Sequence, residues 1–157
     1  MLTRTRAREL IEGSHEAWRR GDLEWLLAQY ADDMEYWCNA GDPSGGPVEI
    51  KGKAAFGETL AAVLRTTHCI SHILSFDFDG VRGRTKAHYR LERRGTPVVL
   101  EGKYRQVISY KAGLISRLEE YHDAGRLTAF WQLTSGDAQP KLAVWDAERP
   151  GGKPPRS

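Results

Sequence analysis

The feature that most constrains this fold is a change in the spacing of apolar residues near position 67. Before that point, apolar residues recur every three or four positions, a spacing that predicts amphipathic helices. After it come four long segments with strand-like patterns. Three turn signals separate them: Asp79-Gly80, Arg94-Gly95 and Ala112-Gly113. Because connections this short cannot join neighbouring parallel strands, we expect a mostly antiparallel sheet.

The predicted elements follow from these patterns. Helices are expected at 5–20, 23–30 and 53–65, with Gly21 ending the first and Asp22 capping the second. Short strands are expected at 34–38 and 48–50, and long strands near 68–78, 81–93, 97–110 and 114–122. A closing helix is expected after Asp123. The predicted fold is α+β, with a curved sheet wrapped around three N-terminal helices and enclosing a pocket.

Length and composition restrict the class of protein. The 157 residues suit one domain, which we place at 1–135, with a partly disordered tail at 136–157 rich in Pro and Gly. A formal charge of +2 argues against a nucleic-acid partner. No apolar run approaches the roughly 20 residues that span a bilayer, so no membrane partner is expected. Two cysteines without close spacing predict a reducing, cytoplasmic location.

The alternation of side chains along each long strand predicts which residues face inward. On the second and third strands, the apolar sets place Tyr89, Tyr104 and Gln106 inside. On the last strand, Leu118 places Glu120 and His122 inside. On the first, the even positions carry more apolar weight, so the set containing His68, Ile70 and Phe76 is expected to face inward.

Burying polar side chains inside an apolar, aromatic shell costs free energy unless they are paired. Such a group of side chains is typical of a small-molecule pocket. We therefore predict a small-molecule ligand and no cofactor. Six residues are predicted to bind this ligand: Trp18, Tyr36, Cys38, Tyr89, Gln106 and His122.

Three segments carry a resemblance to a known family: 21–33 (GDLEWLLAQYADD), 65–71 (RTTHCIS) and 113–123 (GLISRLEEYHD). They resemble the nuclear transport factor 2-like superfamily, in the branch that holds SnoaL-like (polyketide-cyclase-like), ketosteroid isomerase-like and scytalone dehydratase-like proteins. The resemblance implies a cone-shaped α+β fold around a pocket, commonly in dimers. It also implies that His68 transfers protons, as the dehydratase histidine does.

The chain departs from the family's catalytic patterns at several positions. A ketosteroid isomerase would place an aspartate near Cys38, a tyrosine near Ser14 and an acid near Gln106, and all three are absent. Simple ketosteroid isomerase activity is therefore not expected. The first-helix Tyr-Asp pair of the dehydratases is replaced around Trp18-Arg19.

The leading hypothesis is a cofactor-free lyase, isomerase or cyclase acting on a small apolar substrate, with cyclic molecules included. The proposed catalytic residues are His68 as acid or base, Tyr104 as hydrogen-bond donor and Glu120, which orients a histidine or takes a proton. Tyr89 is an alternative donor, whereas His15 is expected to be solvated. No metal is predicted, although His68, Glu120 and His122 together could bind one across strands.

The alternative hypothesis is a noncatalytic ligand-binding or protein-interaction module. Charged residues of both signs line the outer face of the predicted sheet. Cross-strand pairing of such charges suits a subunit interface. We therefore expect a homodimer formed through this face.

Overall fold

The computed structural model describes residues 1–134, in four helices and six strands. The elements are α1 (Arg4–Arg20), α2 (Leu23–Ala28), β1 (Tyr30–Cys38), β2 (Val48–Lys51), α3 (Lys53–Thr66), β3 (Thr67–Phe78), β4 (Arg82–Arg93), β5 (Val99–Lys111), β6 (Leu114–Tyr121) and α4 (Ala124–Thr134). The predicted α+β fold, with a curved sheet and N-terminal helices, is confirmed. The predicted tail at 136–157 lies outside the described residues.

Short-range hydrogen bonds set the helix ends. Gly21, at φ 69°, closes α1 in the left-handed region, where a residue without Cβ is unstrained. The Asp22 carboxylate accepts from the Trp25 amide at 3.0 Å and starts α2, and Asp123 accepts from the Arg126 amide at 3.2 Å at the start of α4. These predicted ends are confirmed. The second helix is shorter than expected because Tyr30 already pairs with Ile115 in the sheet.

The sheet has the strand order β2-β1-β6-β5-β4-β3. Four of its five strand pairs are antiparallel, as predicted, and β1 pairs with β6 in parallel. The parallel pair joins two strands far apart in sequence, so no turn signal announces it. Its effect is to bring the end of β1 beside the end of β6.

A core forms where the helices pack on the inner face of the sheet. Buried Ala7, Ile11 and Ala17 of α1 contact the cluster that contains Ile108 and Leu118. Burial of this apolar surface is the main favourable contribution to folding. The helices therefore form one layer and the sheet forms a second, with the core between them.

One prediction about β3 was wrong. Cys69 is buried and Ile70 is exposed, so the odd positions face inward at the start of the strand. Phe76 is nevertheless buried, as predicted. The pairing with β4 shifts between Ile73 and Ser75, which marks a β-bulge. An extra residue inverts the alternation of faces, so the two halves of β3 follow opposite parity.

The bulge places His68 on the outer face rather than in the interior. Its side chain is 37% exposed, and its Nδ1 lies 3.8 Å from Glu92 Oε2. Glu92 is its direct partner across β3 and β4. His68 therefore lies on the surface beside Glu92.

Within residues 1–134, the helices are too short or too polar to cross a membrane.

Replacing Ile108 with alanine tests the importance of the core. Ile108 is fully buried on β5. We expect Ile108→Ala to lower the free energy of unfolding by about 2–5 kcal/mol, because it removes buried methylenes and leaves a cavity. Urea denaturation followed by circular dichroism measures this change. Val81→Ala, at a side chain 71% exposed, is the control and should change stability by less than about 0.5 kcal/mol. Equal effects of the two variants would contradict this placement of the core.

Candidate functional site

A cavity of about 270 Å³ lies between the helices and the inner face of the sheet. Apolar and aromatic side chains supply most of its lining, including Phe56 and Leu60 of α3 and Trp131 of α4. Polar side chains enter from α1, β1, β3, β5 and the end of β6. The cavity is thus a mainly apolar space with a few polar groups collected in it.

Strand register lines up the polar groups. Glu120 on β6 pairs with Gln106 on β5 and with Cys38 on β1. Gln106 in turn pairs with Thr85 on β4. Because paired residues point to the same face, these side chains form one row across four strands.

Glu120 is the centre of this row. Its Oε1 accepts from Gln106 Nε2 at 2.9 Å, and its Oε2 accepts from the Tyr36 hydroxyl at 3.0 Å and from His122 Nε2 at 3.2 Å. Burial by itself raises the pKa of this carboxyl group, but the bonds from His122, Gln106 and Tyr36 outweigh it, so the pKa lies below its usual value. Glu120 is therefore ionised at neutral pH.

The ionised carboxylate fixes the hydrogen-bond direction through Gln106. A carboxylate only accepts, so the Gln106 amide must point its NH₂ group at Glu120 and its oxygen away. That oxygen accepts from Thr85 Oγ1 at 2.9 Å and lies 3.0 Å from His15 Nε2. His15 Nε2 must therefore carry a hydrogen.

The other ring nitrogen of His15 faces Ser71. Its Nδ1 lies 2.9 Å from Ser71 Oγ. Burial lowers the pKa of His15 more than the nearby Gln106 and Glu120 raise it, so the ring is neutral at neutral pH. A neutral ring with a hydrogen on Nε2 has a lone pair on Nδ1, and the Ser71 hydroxyl donates to it.

His122 is in the opposite charge state. Burial lowers its pKa, but the neighbouring Cys38 and Glu120 more than offset this and raise it to about 9. Paired hydrogen bonds between Asn39 and the His122 backbone, at 2.8 and 3.0 Å, fix its position at the end of β6. His122 is therefore an imidazolium at neutral pH, paired with the Glu120 carboxylate.

One atom of His122 has no hydrogen-bond partner. Among the side chains of residues 1–134, His122 Nδ1 is the one buried nitrogen or oxygen atom without a hydrogen-bond partner. Cys38 Sγ is a neighbour that donates its hydrogen to the Ala40 carbonyl oxygen, and its sulfur does not reach His122 Nδ1 in hydrogen-bond geometry. His122 lines the cavity, and within the described residues its Nδ1–H group is a buried donor with no oxygen or nitrogen acceptor.

Aromatic rings surround His122. Tyr104 stacks on it with ring centroids 4.6 Å apart, and Tyr89 meets both rings edge-on. Burial raises the pKa of Tyr89 to about 12 and that of Tyr104 well above its usual value. Both phenols therefore stay protonated and can donate hydrogen bonds.

The same groups include a possible ligand set for a metal ion. One ligand atom each of Cys38, Glu120 and His122 lies within 4.8 Å of the other two. His68, which the sequence suggested as a third ligand, lies outside this set. Thiolate, imidazole and carboxylate are ligands that zinc accepts, but Glu120 and His122 are already paired with each other.

The structure brings most of the predicted site residues together. Eight of the nine line the cavity: Trp18, Tyr36, Cys38, Tyr89, Tyr104, Gln106, Glu120 and His122. His68, the ninth, lies on the outer face, so its predicted placement was wrong. The roles assigned to the other eight stay predictions.

Sequence reasoning missed His15, Ser71 and Asn39. His15 is only 7% exposed, although it was expected to be solvated. Its position four residues after the inward-facing Ile11 was an available signal. No sequence signal indicated Ser71, because its side chain faces inward only as a result of the bulge.

We expect the pKa of His122 to depend on Glu120. In the folded protein, His122 should titrate near pH 9, and Glu120→Gln should move that midpoint toward 6.5 or below. Nuclear magnetic resonance of labelled histidine rings measures both. A His122 midpoint that is unchanged in Glu120→Gln would contradict the ion pair.

Unfolding measurements give an independent check of this shift. A folded-state pKa raised above 6.5 adds stability that is fully present below pH 6.5 and is lost as the pH rises through about 9. The difference in unfolding free energy between the original chain and His122→Gln should shrink across that range.

Comparison with known proteins supports this fold. No curated protein sequence is significantly similar to the chain. Among solved structures, an LEH-like epoxide hydrolase from M. tuberculosis aligns with a TM-score of 0.68 at 18% identity, over 83% of this chain and 92% of that one. An NTF2-like protein from Burkholderia xenovorans LB400 aligns with a TM-score of 0.67 at 19% identity, over 82% and 98%.

A third solved structure, TerC co-crystallised with polyporic acid, aligns with a TM-score of 0.68 at 22% identity, over 83% of this chain and 98% of that one. These likenesses, at low identity, show the NTF2-like fold. The profile of the SnoaL-like domain matches residues 11–118, which is more than half of the sequence. The chain therefore belongs to the SnoaL-like domain family.

Proposed function

We propose that the chain is a cofactor-free enzyme of the lyase, isomerase or cyclase type that acts on a small, largely apolar substrate. The observation that supports this most is the largely buried His122–Glu120 ion pair in the cavity, with His122 Nδ1 unpartnered. A charged donor without a protein acceptor is suited to an oxygen atom of a bound molecule. Such a donor is worth more in a low-dielectric site than in water.

His122 is the proposed general acid. Glu120 holds Nε2 and stabilises the imidazolium, so we assign the transferred proton to Nδ1, the nitrogen that Glu120 does not hold. That proton can assist loss of a hydroxyl group, opening of a ring ether or formation of an enol. Tyr36, bonded to the same carboxylate, keeps Glu120 in place when His122 loses its charge.

The cavity restricts the substrate. Its volume of about 270 Å³ lies just below the usual range of ligand pockets, which is roughly 300–1,000 Å³. Its walls offer apolar and aromatic surface, with the polar groups concentrated around Glu120 and His122. A compact cyclic molecule with one or two oxygen atoms fits this distribution. The similar structures named above include an LEH-like epoxide hydrolase, and an epoxide is compatible with this substrate class.

A panel of cyclic β-hydroxyketones, β,γ-unsaturated ketones and epoxides, analysed by mass spectrometry and NMR, tests the proposal. We expect turnover of at least one class. His122→Gln should lower that rate by about 10²–10⁴-fold, the usual contribution of a general acid. The rate should also fall as the pH rises through about 9, where His122 loses its proton.

His68→Gln is the matched control, because it removes a histidine from the outer face. It should leave turnover unchanged. Full activity in His122→Gln would contradict the assigned role. Tight binding of panel members without any turnover would instead favour the noncatalytic ligand-binding alternative.

We also propose that the chain forms a homodimer through the outer face of the sheet. Ile70 is an apolar residue on this face and is 39% exposed. Around it lie charges of both signs: Arg90 contacts Glu92 at 2.5 Å and Glu101 at 3.6 Å. A face with mixed charges and apolar residues can pair with a second copy of itself.

Light scattering after size-exclusion chromatography tests this assembly. The original chain should have the mass of two chains, and Ile70→Asp should have the mass of one, because a buried charge destabilises the interface. Val81→Asp, in the turn before β4, should remain dimeric. A monomeric original chain would contradict the proposed dimer.

A further inference from the structure

The proposed acid chemistry leaves the pair of Ser71 and His15 unused. Ser71 lines the cavity, and its hydroxyl donates to His15 Nδ1 at 2.9 Å. We propose that Ser71 is a nucleophile, activated by His15 as general base, that accepts an acyl group from small esters. This activity goes beyond the proposed function.

The geometry has the three parts that an activated serine needs: a hydroxyl, a base that accepts its proton and a group that orients the base. Ser71 and His15 supply the first two. Gln106 supplies the third, since its side-chain oxygen accepts from His15 Nε2 at 3.0 Å. Because Glu120 and Thr85 fix the Gln106 amide from both ends, the imidazole is held in the tautomer with its lone pair toward Ser71.

The charge state of His15 suits a base. A base must be neutral before it takes a proton, and burial lowers the pKa of His15 below its usual 6.5. His15 is 7% exposed, so water competes little for its lone pair. The hydrogen bond from Ser71 therefore points along the path that the proton would take.

Tyr104 supplies a donor for the substrate oxygen. Burial keeps this phenol protonated, and Tyr104 also interacts with the Ser71 hydroxyl. An O–H group beside the nucleophile can stabilise the negative charge that develops on an ester carbonyl oxygen. His15 lies roughly parallel to the same ring, with an interplanar angle of 9°.

The reaction balances without a cofactor. Ser71 Oγ forms a bond to the ester carbonyl carbon, and its proton moves to His15 Nδ1. The bond from that carbon to the alcohol oxygen then breaks, and the alcohol leaves with the proton from His15. Water, deprotonated by His15, later attacks the acyl-serine and releases the acid and the free Ser71 hydroxyl.

The experiment treats the full chain with 4-nitrophenyl acetate. We expect a burst of nitrophenolate and, by peptide mass spectrometry, one acetyl group on Ser71. Ser71→Ala should lose both, whereas Ser75→Ala, at an exposed serine of the same strand, should keep both. His68→Gln, at a histidine on the outer face, should also keep the burst.

Two further measurements test the role of His15. His15→Gln, checked for fold by circular dichroism, should slow the burst by about 100-fold or more. Because this buried variant can lose its fold, the pH profile of the original chain is the second readout. Its burst rate should be constant at neutral pH and fall only below pH 6.5, as His15 gains a proton. Acetylation elsewhere than Ser71, or a rate that keeps rising with hydroxide, would overturn the proposal.

Discussion

Glu120 is a largely buried carboxylate, and the rest of the site depends on how its charge is stabilised. Removing an ionised carboxylate from water is costly unless charged or polar partners surround it. Three partners do so here, from β1, β5 and the end of β6: Tyr36, Gln106 and His122. The parallel pairing of β1 with β6 makes this possible, because it brings Tyr36 and Cys38 to the carboxylate.

The charge of Glu120 also sets the state of both buried histidines. His122 contacts the carboxylate directly, and its pKa is raised to about 9. His15 contacts it only through Gln106, so burial dominates and the ring stays neutral. Two residues of one type thus have opposite charge states in one cavity. Groups whose pKa values are driven apart in this way are suited to separate acid and base roles.

The bulge in β3 decides which side chains reach this network. One extra residue between Ile73 and Ser75 allows Cys69 and Ser71 to face the cavity while Phe76 still packs in the core. Without the bulge, β3 could point either Cys69 and Ser71 or Phe76 toward the interior, but not all three. The same shift turns His68 outward to Glu92.

Much of this protein is determined by its sequence. The change of apolar spacing near residue 67 and the glycine turns predicted the helices, the strands and the α+β fold, because these signals act over a few residues. Alternation along β4, β5 and β6 also placed Tyr104, Gln106 and Glu120 inside, since those strands keep a regular pattern over the inward-facing positions. Only the tertiary structure placed Ser71 and His15 together and excluded His68. The reason is physical: a bulge and a long-range strand pairing depend on contacts between distant segments, which no local pattern records.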